Sequence, residues 1–326
     1  MGVRSLFQPV PERQPFTRRR LVVGLVLILG GLLIPLRDSN YLMTVFSIAY
    51  FYVVLSESWN LISGFTGYLS FGHSMFIGIG AFTTFILFDG YGIHWILALV
   101  AAGVLAAAFA VLVGVPSLRI KGVYFAIAML VLNEVVKLVA EGPLEFITNG
   151  THGLTVFTGP SVETIYYALG VLAVVTVLVS TFIVNSKIGL HMRAIREREH
   201  VAESMGIHTT RTKLFAFAVS AFFPAIAGGL YGFTISYIDP SVVFDLRFTL
   251  EMTVMTIIGG IGTIAGPLVG AFVFGMLSEV LVLSAPEIFQ IALGSFLILV
   301  VLFSPGGLYE VTTSPRVQRL VDRLRP

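Results

Sequence analysis

Ten apolar runs, most of them about the length needed to cross a bilayer as a helix, occupy the greater part of this chain. They fall at about 21–36, 41–63, 67–88, 94–115, 121–141, 164–184, 213–236, 247–261, 264–285 and 287–304. A hydrocarbon core of roughly 30 Å asks for about 20 apolar residues in a helix. Only 12% of the residues are charged, where soluble chains carry roughly a quarter. The expectation is an all-α polytopic membrane protein of about ten transmembrane helices. Its least regular members are 67–88, which glycines break, and 247–261, which is short. The 33 glycines suit close helix packing in lipid. With no cysteine, disulfide and thiolate chemistry are excluded, and a net charge of +2 is too small to suggest nucleic acid.

Charge sets the orientation. Residues 1–20 carry Arg4, Arg13, Arg18, Arg19 and Arg20 ahead of the first run, and no small-x-small cleavage site follows it; Pro35, Leu36, Arg37 and Asp38 do. This reads as an uncleaved first span behind a cytoplasmic tail, 1–20. Alternation then puts Arg119 and Lys121, the loop 185–213 and a C-terminal tail (305–326, with Arg316, Arg319, Arg323 and Arg325) inside. Outside fall 142–163, which has Glu145 and Glu163 but no Lys or Arg, and 237–246, with Asp239 and Asp245. The positive-inside rule agrees, Arg37 and Arg247 being the two exceptions. Asn149 opens an N-x-T string in the long external loop, better read as an Asn-Gly turn than as a glycan acceptor.

The loop 185–213 (NSKIGLHMRAIREREHVAESMGIHTTRTK) holds six of the 20 Lys and Arg. Residues 190–205 lack Gly and Pro and read as a helix with Met192, Ile195, Ala202 and Met205 on one face. Arg193 and Glu197 are spaced to pair, and Gly206 supplies a stop. Such a helix can lie on lipid headgroups, sit in a solvated loop, or serve as a peg for a soluble partner.

Two segments interrupt the apolar pattern with glycine: 64–82, GFTGYLSFGHSMFIGIGAF, and 259–275, GGIGTIAGPLVGAFVFG. Each contains Gly, seven residues, then Gly-Ala-Phe, from Gly72 and from Gly262. Coincidence in a Gly-rich chain accounts for this, and so does an internal repeat; both segments start on the inner side, so that repeat would be parallel. Paired broken segments point to a substrate path, because irregular backbone survives in a membrane only beside protein or a watery cavity. The polar residues within spans are Glu57, Asn60, His73, Asn133, Glu134, Lys137, Glu251 and Glu279. Glu134 and Lys137 are three apart and can neutralise one another. Asn60 and His73 flank the first broken segment and are path candidates, with a hydrogen bond between helices as the alternative role.

There is no G-x-x-x-x-G-K-[ST], no H-E-x-x-H, no G-x-S-x-G and no His/Cys cluster. The chain therefore has no P-loop for ATP, and an integral-membrane enzyme, still open as a class, would have no visible site.

Taken together, SWNLISGFTGYLSFGHSMFIGIGAF, LRIKGVYFAIAMLVLNEVV with TNGTHGL, and SKIGLHMRAIREREHVAESMGIHTTRTKLFAFAVSAFFPAIAGGLYG resemble the permease subunits of bacterial ABC importers for branched-chain amino acids, the LivM-like branch, over about residues 41–304. The resemblance implies a non-enzymatic permease domain at 21–304 in a bacterial or archaeal inner membrane, with both termini cytoplasmic. It implies alternating access driven by two partner ATPases that bind the ATP, with no cofactor on this chain, and a second, related permease and an external solute-binding protein as further partners. Helix 190–205 would be the coupling helix, with Arg193, Arg196, Glu197 and Glu203 as polar contacts and Ala202 and Gly206 matching the wider importer motif. His200 and Val201 depart from that motif. Asn60, Gly64, Gly67, Gly72, His73, Gly259, Gly260 and Gly262 would line the path. Urea or short amides are an alternative cargo; an ion-coupled secondary transporter using Glu134, Lys137 or Glu251 is an alternative class.

Overall fold

The computed structural model describes residue 31, residues 40–156 and residues 159–284. The expected runs 21–36 (apart from Gly31) and 287–304, and both tails, lie outside the described residues. The elements are α1 (Asn40–Trp59), continued by a π-helical turn at Asn60–Gly64; α2 (Ser74–Phe85), with a second π turn at Ile86–Gly90; α3 (Trp95–Ser117); α4 (Val123–Glu141); and the short α5 (Glu145–Thr148). Then follow β1 (Leu154–Thr155), α6 (Val162–Asn185), α7 (Lys187–Ser204), α8 (Thr209–Ile235), β2 (Tyr237–Ile238), α9 (Pro240–Val243), α10 (Leu246–Gly259) and α11 (Ala265–Ser284).

Five described helices are long and apolar enough to cross a membrane: Leu42–Gly64, Trp95–Ser117, Val123–Glu141, Val162–Asn185 and Thr209–Ile235. Ser74–Gly90 is apolar but shorter. The expected helix at 67–88 is therefore corrected: its first part, 67–73, is not helical. Gly67 takes φ +79, in the left-handed region, and the backbone there is met by side chains instead of by a helical ladder. Trp59 Nε1 donates to Ser70 O at 2.8 Å, and Ser70 N donates to Ser63 Oγ at 3.2 Å. Irregular backbone at this depth is satisfied by protein, as an apolar surrounding demands.

The centre of the bundle is α1, which packs against α6, α8, α10 and α11. α8 packs in turn on α2 and α3. The α2–α8 contact is backbone to backbone: a methyl group on Gly80 would overlap Ala225, and one on Gly228 would overlap Ile77. Small residues at both faces let the helices approach and gain dispersion contacts that bulkier pairs would forfeit. α3, α4 and α6 turn apolar side chains outward, among them Leu97, Leu112, Ile127, Leu138, Val171 and Phe182. In a soluble protein these bands would be a liability; against lipid they cost nothing.

α1 and α10 run parallel in nearly fixed register. Tyr52 OH donates to Glu251 Oε2 and Ser56 Oγ reaches Met255 Sδ at 3.6 Å; just beyond the two helices, Asn60 Nδ2 donates to Thr263 O at 2.8 Å. Residues four apart stack on one helical face, so Tyr52, Ser56 and Asn60 form one polar edge along α1. At the end of the bundle away from α7, β1 and β2 pair antiparallel, Leu154 opposite Ile238 and Thr155 opposite Tyr237. Asn149 and Gly150 form the expected turn, with φ 60 and 56, and Asn149 Nδ2 donates to Gly153 O at 2.9 Å.

Candidate functional site

The two Gly-broken segments meet at the α7 end of the bundle, and Asn60 fastens them. As its Nδ2 donates to Thr263 O, its Oδ1 accepts from Gly262 N at 2.8 Å. One buried amide thus holds both a donor and an acceptor of the 260–264 loop. Gly64 lies directly beneath: a Cβ there would overlap Asn60 Oδ1 and press on Gly262 N. Gly259 and Gly260 complete the loop. A Cβ on Gly259 would overlap Gly266 O, and Gly260 takes φ +122, open to glycine alone among ordinary residues.

α7 enters this seam. Arg196 Nη1 donates to Gly64 O at 2.5 Å, and a Cβ on Gly262 (φ +78) would strike the same nitrogen. Gly67 faces the stem of Arg196, its Cβ position 3.2 Å from Arg196 Cγ. Burial pulls the Arg196 guanidinium below its ordinary range, and Glu197 opposes that pull.

Beside it lies a second cluster that sequence reasoning missed. Lys213 Nζ donates to Glu199 Oε1 at 2.7 Å, to Tyr68 OH at 2.9 Å and to Leu118 O at 3.0 Å. Tyr68 OH donates to Glu199 Oε2 at 2.7 Å, and Lys121 Nζ stands 3.3 Å from that oxygen. Burial pushes the Glu199 carboxyl up, but hydrogen bonds from Lys213 and Tyr68 outweigh it and hold the group below the usual carboxylate range. One carboxylate so joins α7, α8, the α3–α4 turn and the first broken segment. The available signal was Lys213 itself, a charge at the mouth of an apolar run.

α7 begins at Lys187, capped by Ser186 Oγ to Ile188 N at 3.2 Å, and bends at Arg198, whose backbone is extended. Met192, Ile195 and Ala202 are buried as the expected face requires, whereas Met205 is exposed because the helix has bent and ended. Gly206, φ +83, closes it: Ile207 N donates to Ala202 O at 3.1 Å and Gly206 N to Glu203 O at 2.9 Å, the two bonds of a Schellman stop. Arg193 is exposed, yet its Nη2 turns back to donate to Val184 O at 2.7 Å, at the carbonyl end of α6. Glu203 accepts from Thr209 Oγ1 at 2.8 Å. Glu197 is exposed, as are Leu190, Val201 and Met205.

Gly72 and His73 stand apart from the seam. A Cβ on Gly72 would overlap Met129 O of α4. His73 bridges helices, with Nδ1 2.8 Å from Ser70 Oγ and Nε2 3.2 Å from Ser220 Oγ. Asn133 accepts from Ser74 Oγ at 2.9 Å and donates to Phe244 O at 3.0 Å. Lys137 and Glu134 pair at 3.6 Å. Glu57 is fully buried one turn before Asn60, and its carboxyl oxygens meet no hydrogen-bond partner among the described residues. The Glu279 side chain lies outside the described residues. No group of three or more His, Asp or Glu that could hold a metal occurs among them.

An apolar helical bundle with five described helices long enough to cross a membrane fits a polytopic membrane protein. The family model described as branched-chain amino acid transport system / permease component matches residues 41–303, and the chain belongs to that family. It is 25% identical over 345 residues to the high-affinity branched-chain amino acid transport system permease protein LivM of Escherichia coli K12, covering 95% of this chain and 80% of that protein. It is 26% identical over 283 residues to LivH of Salmonella typhimurium, covering 79% and 90%. A ribose import permease protein, RbsC of Haemophilus influenzae, is 28% identical over 153 residues, 44% of this chain and 47% of that protein. The relatives are transport permease components and not enzymes.

Proposed function

We propose that this chain is the transmembrane subunit of an ATP-binding-cassette importer for branched-chain amino acids, sited in the inner membrane with α7 on the cytoplasmic side. The observation that carries the reading is the bond from Arg196 to Gly64. It ties a short polar helix outside the spans to the point where both broken segments meet. The helix offers a partner an exposed surface of mixed charge and apolar side chains: Leu190, Glu197, Val201 and Met205. Two partner ATPases bind ATP, their closure moves α7, and Arg196 passes that motion to the Asn60 clamp, which closes the inner end of the path. A second, related permease and an external solute-binding protein complete the assembly. The parallel register of α1 and α10, each followed by a Gly break and another helix, supports two repeated halves. Of the charges named for an ion-coupled carrier, Glu134 pairs with Lys137, and Glu251 with Arg247 and Tyr52.

The test is purification of the chain from native membranes in mild detergent, with identification of co-purifying proteins, followed by uptake into liposomes. Recovery of a P-loop ATPase and a second permease, with ATP-dependent leucine uptake, is the expected result. A chain that transports alone without ATP would overturn the reading.

A further inference from the structure

α4 is the least buried of the five described helices that are long enough to cross a membrane. Its inner face is pinned at two points. Met129 O lies where a Cβ on Gly72 would fall, and Asn133 bonds to Ser74 Oγ and Phe244 O. Its outer face carries Tyr124, Ile127, Val131, Glu134 and Leu138, all exposed. They follow one another at steps of three and four, the spacing of a helix that packs along another helix. An apolar stripe alone would suit lipid, as on α3 and α6. α3 carries no charged residue, and α6 carries only Glu163, in its first turn. α4 differs: Glu134 sits within the stripe, more than half exposed, with Lys137 at 3.6 Å. At a rise of 1.5 Å per residue it lies about 16 Å from one end of α4 and about 10 Å from the other. An ion pair at that depth is costly against hydrocarbon, and ionisable side chains in spans turn to protein or water instead.

We propose that the outer stripe of α4 packs against a membrane-spanning helix of the second permease subunit, and that this facing helix offers Glu134 a cation or a hydrogen-bond donor. The identity of the partner rests on the importer reading. A watery wall accounts for the charge but not for four apolar side chains in register with it. Those four take an apolar helix, because association in lipid rests on close packing and on bonds between helices. Of the ion pair, Glu134 is the more exposed and Lys137 the less, so the face presents a carboxylate. A carboxylate in an interface takes N–H or O–H donors at short range. The stripe also opposes a copy of itself. Two copies related by an axis normal to the membrane would set like stripe against like, with Glu134 facing Glu134. That like-charge contact weakens the wrong pairing and selects a different chain.

The chain has no cysteine, so single cysteines report without background. Val131→Cys and Leu138→Cys probe the stripe; Leu105→Cys and Val171→Cys, also at exposed positions, probe α3 and α6. The whole complex is purified from membranes into lipid nanodiscs and spin-labelled. Oxygen, which partitions into lipid, should reach the labels on α3 and α6. Neither oxygen nor a water-soluble nickel chelate should reach those on the stripe. A benzophenone attached to Val131→Cys should then crosslink to a helix of the second permease. Stripe labels as open to oxygen as those on α3 would mean lipid, and labels open to nickel would mean water. Either result overturns the proposal, as does crosslinking to a second copy of this chain. The exchange Glu134→Lys with Lys137→Glu keeps an ion pair within α4 but turns a cation outward. Recovery of the second permease should fall roughly tenfold, the scale of one lost charge-assisted contact. Unchanged recovery overturns the charge match. ATP-driven leucine uptake by a complex whose stripe is open to lipid sinks the interface and leaves the importer standing. A protected stripe crosslinked to a second permease, without ATP-driven uptake, does the reverse.

Discussion

The guanidinium of Arg196 ends 2.5 Å from the carbonyl oxygen of Gly64, across 132 positions of sequence. Arg196 belongs to a helix outside the spans and Gly64 to a backbone turn within the bundle, so the contact joins the chain's most polar segment to its least regular apolar one. Arg193, three residues earlier, turns back onto the preceding helix. Two neighbouring arginines therefore have different work, and substitutions should separate them.

Arg196→Gln should retain co-purification with the ATPase while ATP-driven uptake falls severely, because the exposed docking surface is untouched and the link to Gly64 is weakened. Glu197→Arg with Met205→Asp should show the opposite order of events, losing the ATPase first. Side-by-side pull-down and uptake assays distinguish them. Equal loss of ATPase binding in both would contradict the division of roles. Arg193→Glu places a carboxylate beside the Val184 carbonyl and should lower the thermal midpoint.

Asn60→Leu is close in size and removes both bonds to the 260–264 loop. ATP hydrolysis should continue and uptake should collapse, since the clamp no longer closes the seam. Leaving Gly262 N and Thr263 O unpaired in a buried place costs about 1–3 kcal/mol each, which a melting curve in detergent would report. Uptake at the unsubstituted rate would rule out a gating role for Asn60.

Gly262→Ala meets two obstacles together: a left-handed backbone, worth about 1–2 kcal/mol against an L side chain, and overlap with Arg196 Nη1. The loss of stability should shrink when Gly262→Ala is combined with Arg196→Ala, and a double-mutant cycle on thermal midpoints measures that coupling.

Glu199 makes acid sensitivity predictable. Its folded-state pKa is depressed, so its contribution to stability is present above the ordinary carboxylate value and is lost as pH falls through the lower folded value. Unfolding midpoints measured from pH 7 down to pH 3 should drop on the acid side. Glu199→Gln should flatten that drop and lower stability at pH 7 by up to about 3 kcal/mol, because Lys213 is then buried without its counter-charge. An unchanged acid limb in Glu199→Gln would remove Glu199 as its source.

The long helices were legible because their cause is local: apolar length. Observed bounds such as Trp95–Ser117 and Val162–Asn185 lie within two residues of the sequence expectation. The break at 67–73 was visible in its glycines, but not where the helix would resume, because Trp59, Ser63 and Ser70 stabilise it through side chains that carry no periodic signature. The seam was half legible. Asn60 and the glycines stood out as polar or small residues in apolar runs, while their union with Arg196 depends on how two distant segments pack. The Glu199–Lys213 cluster left one trace, Lys213 at the mouth of an apolar run, while Tyr68, Lys121 and Glu199 each have an ordinary solvated reading.

The register between α1 and α10 has a mechanical meaning. Two polar contacts, at Tyr52 and Ser56, lie one turn apart along the pair, and a third, from Asn60 to Thr263, joins the turns that follow the two helices. Sliding one helix past the other would break all three at once, whereas swinging them apart from one end breaks them singly. The pair behaves as a zip and not as a piston, and Asn60 is its tab. Under the proposed coupling, a motion delivered through Arg196 would begin at the last tooth, and the force required would be that of one contact rather than of three.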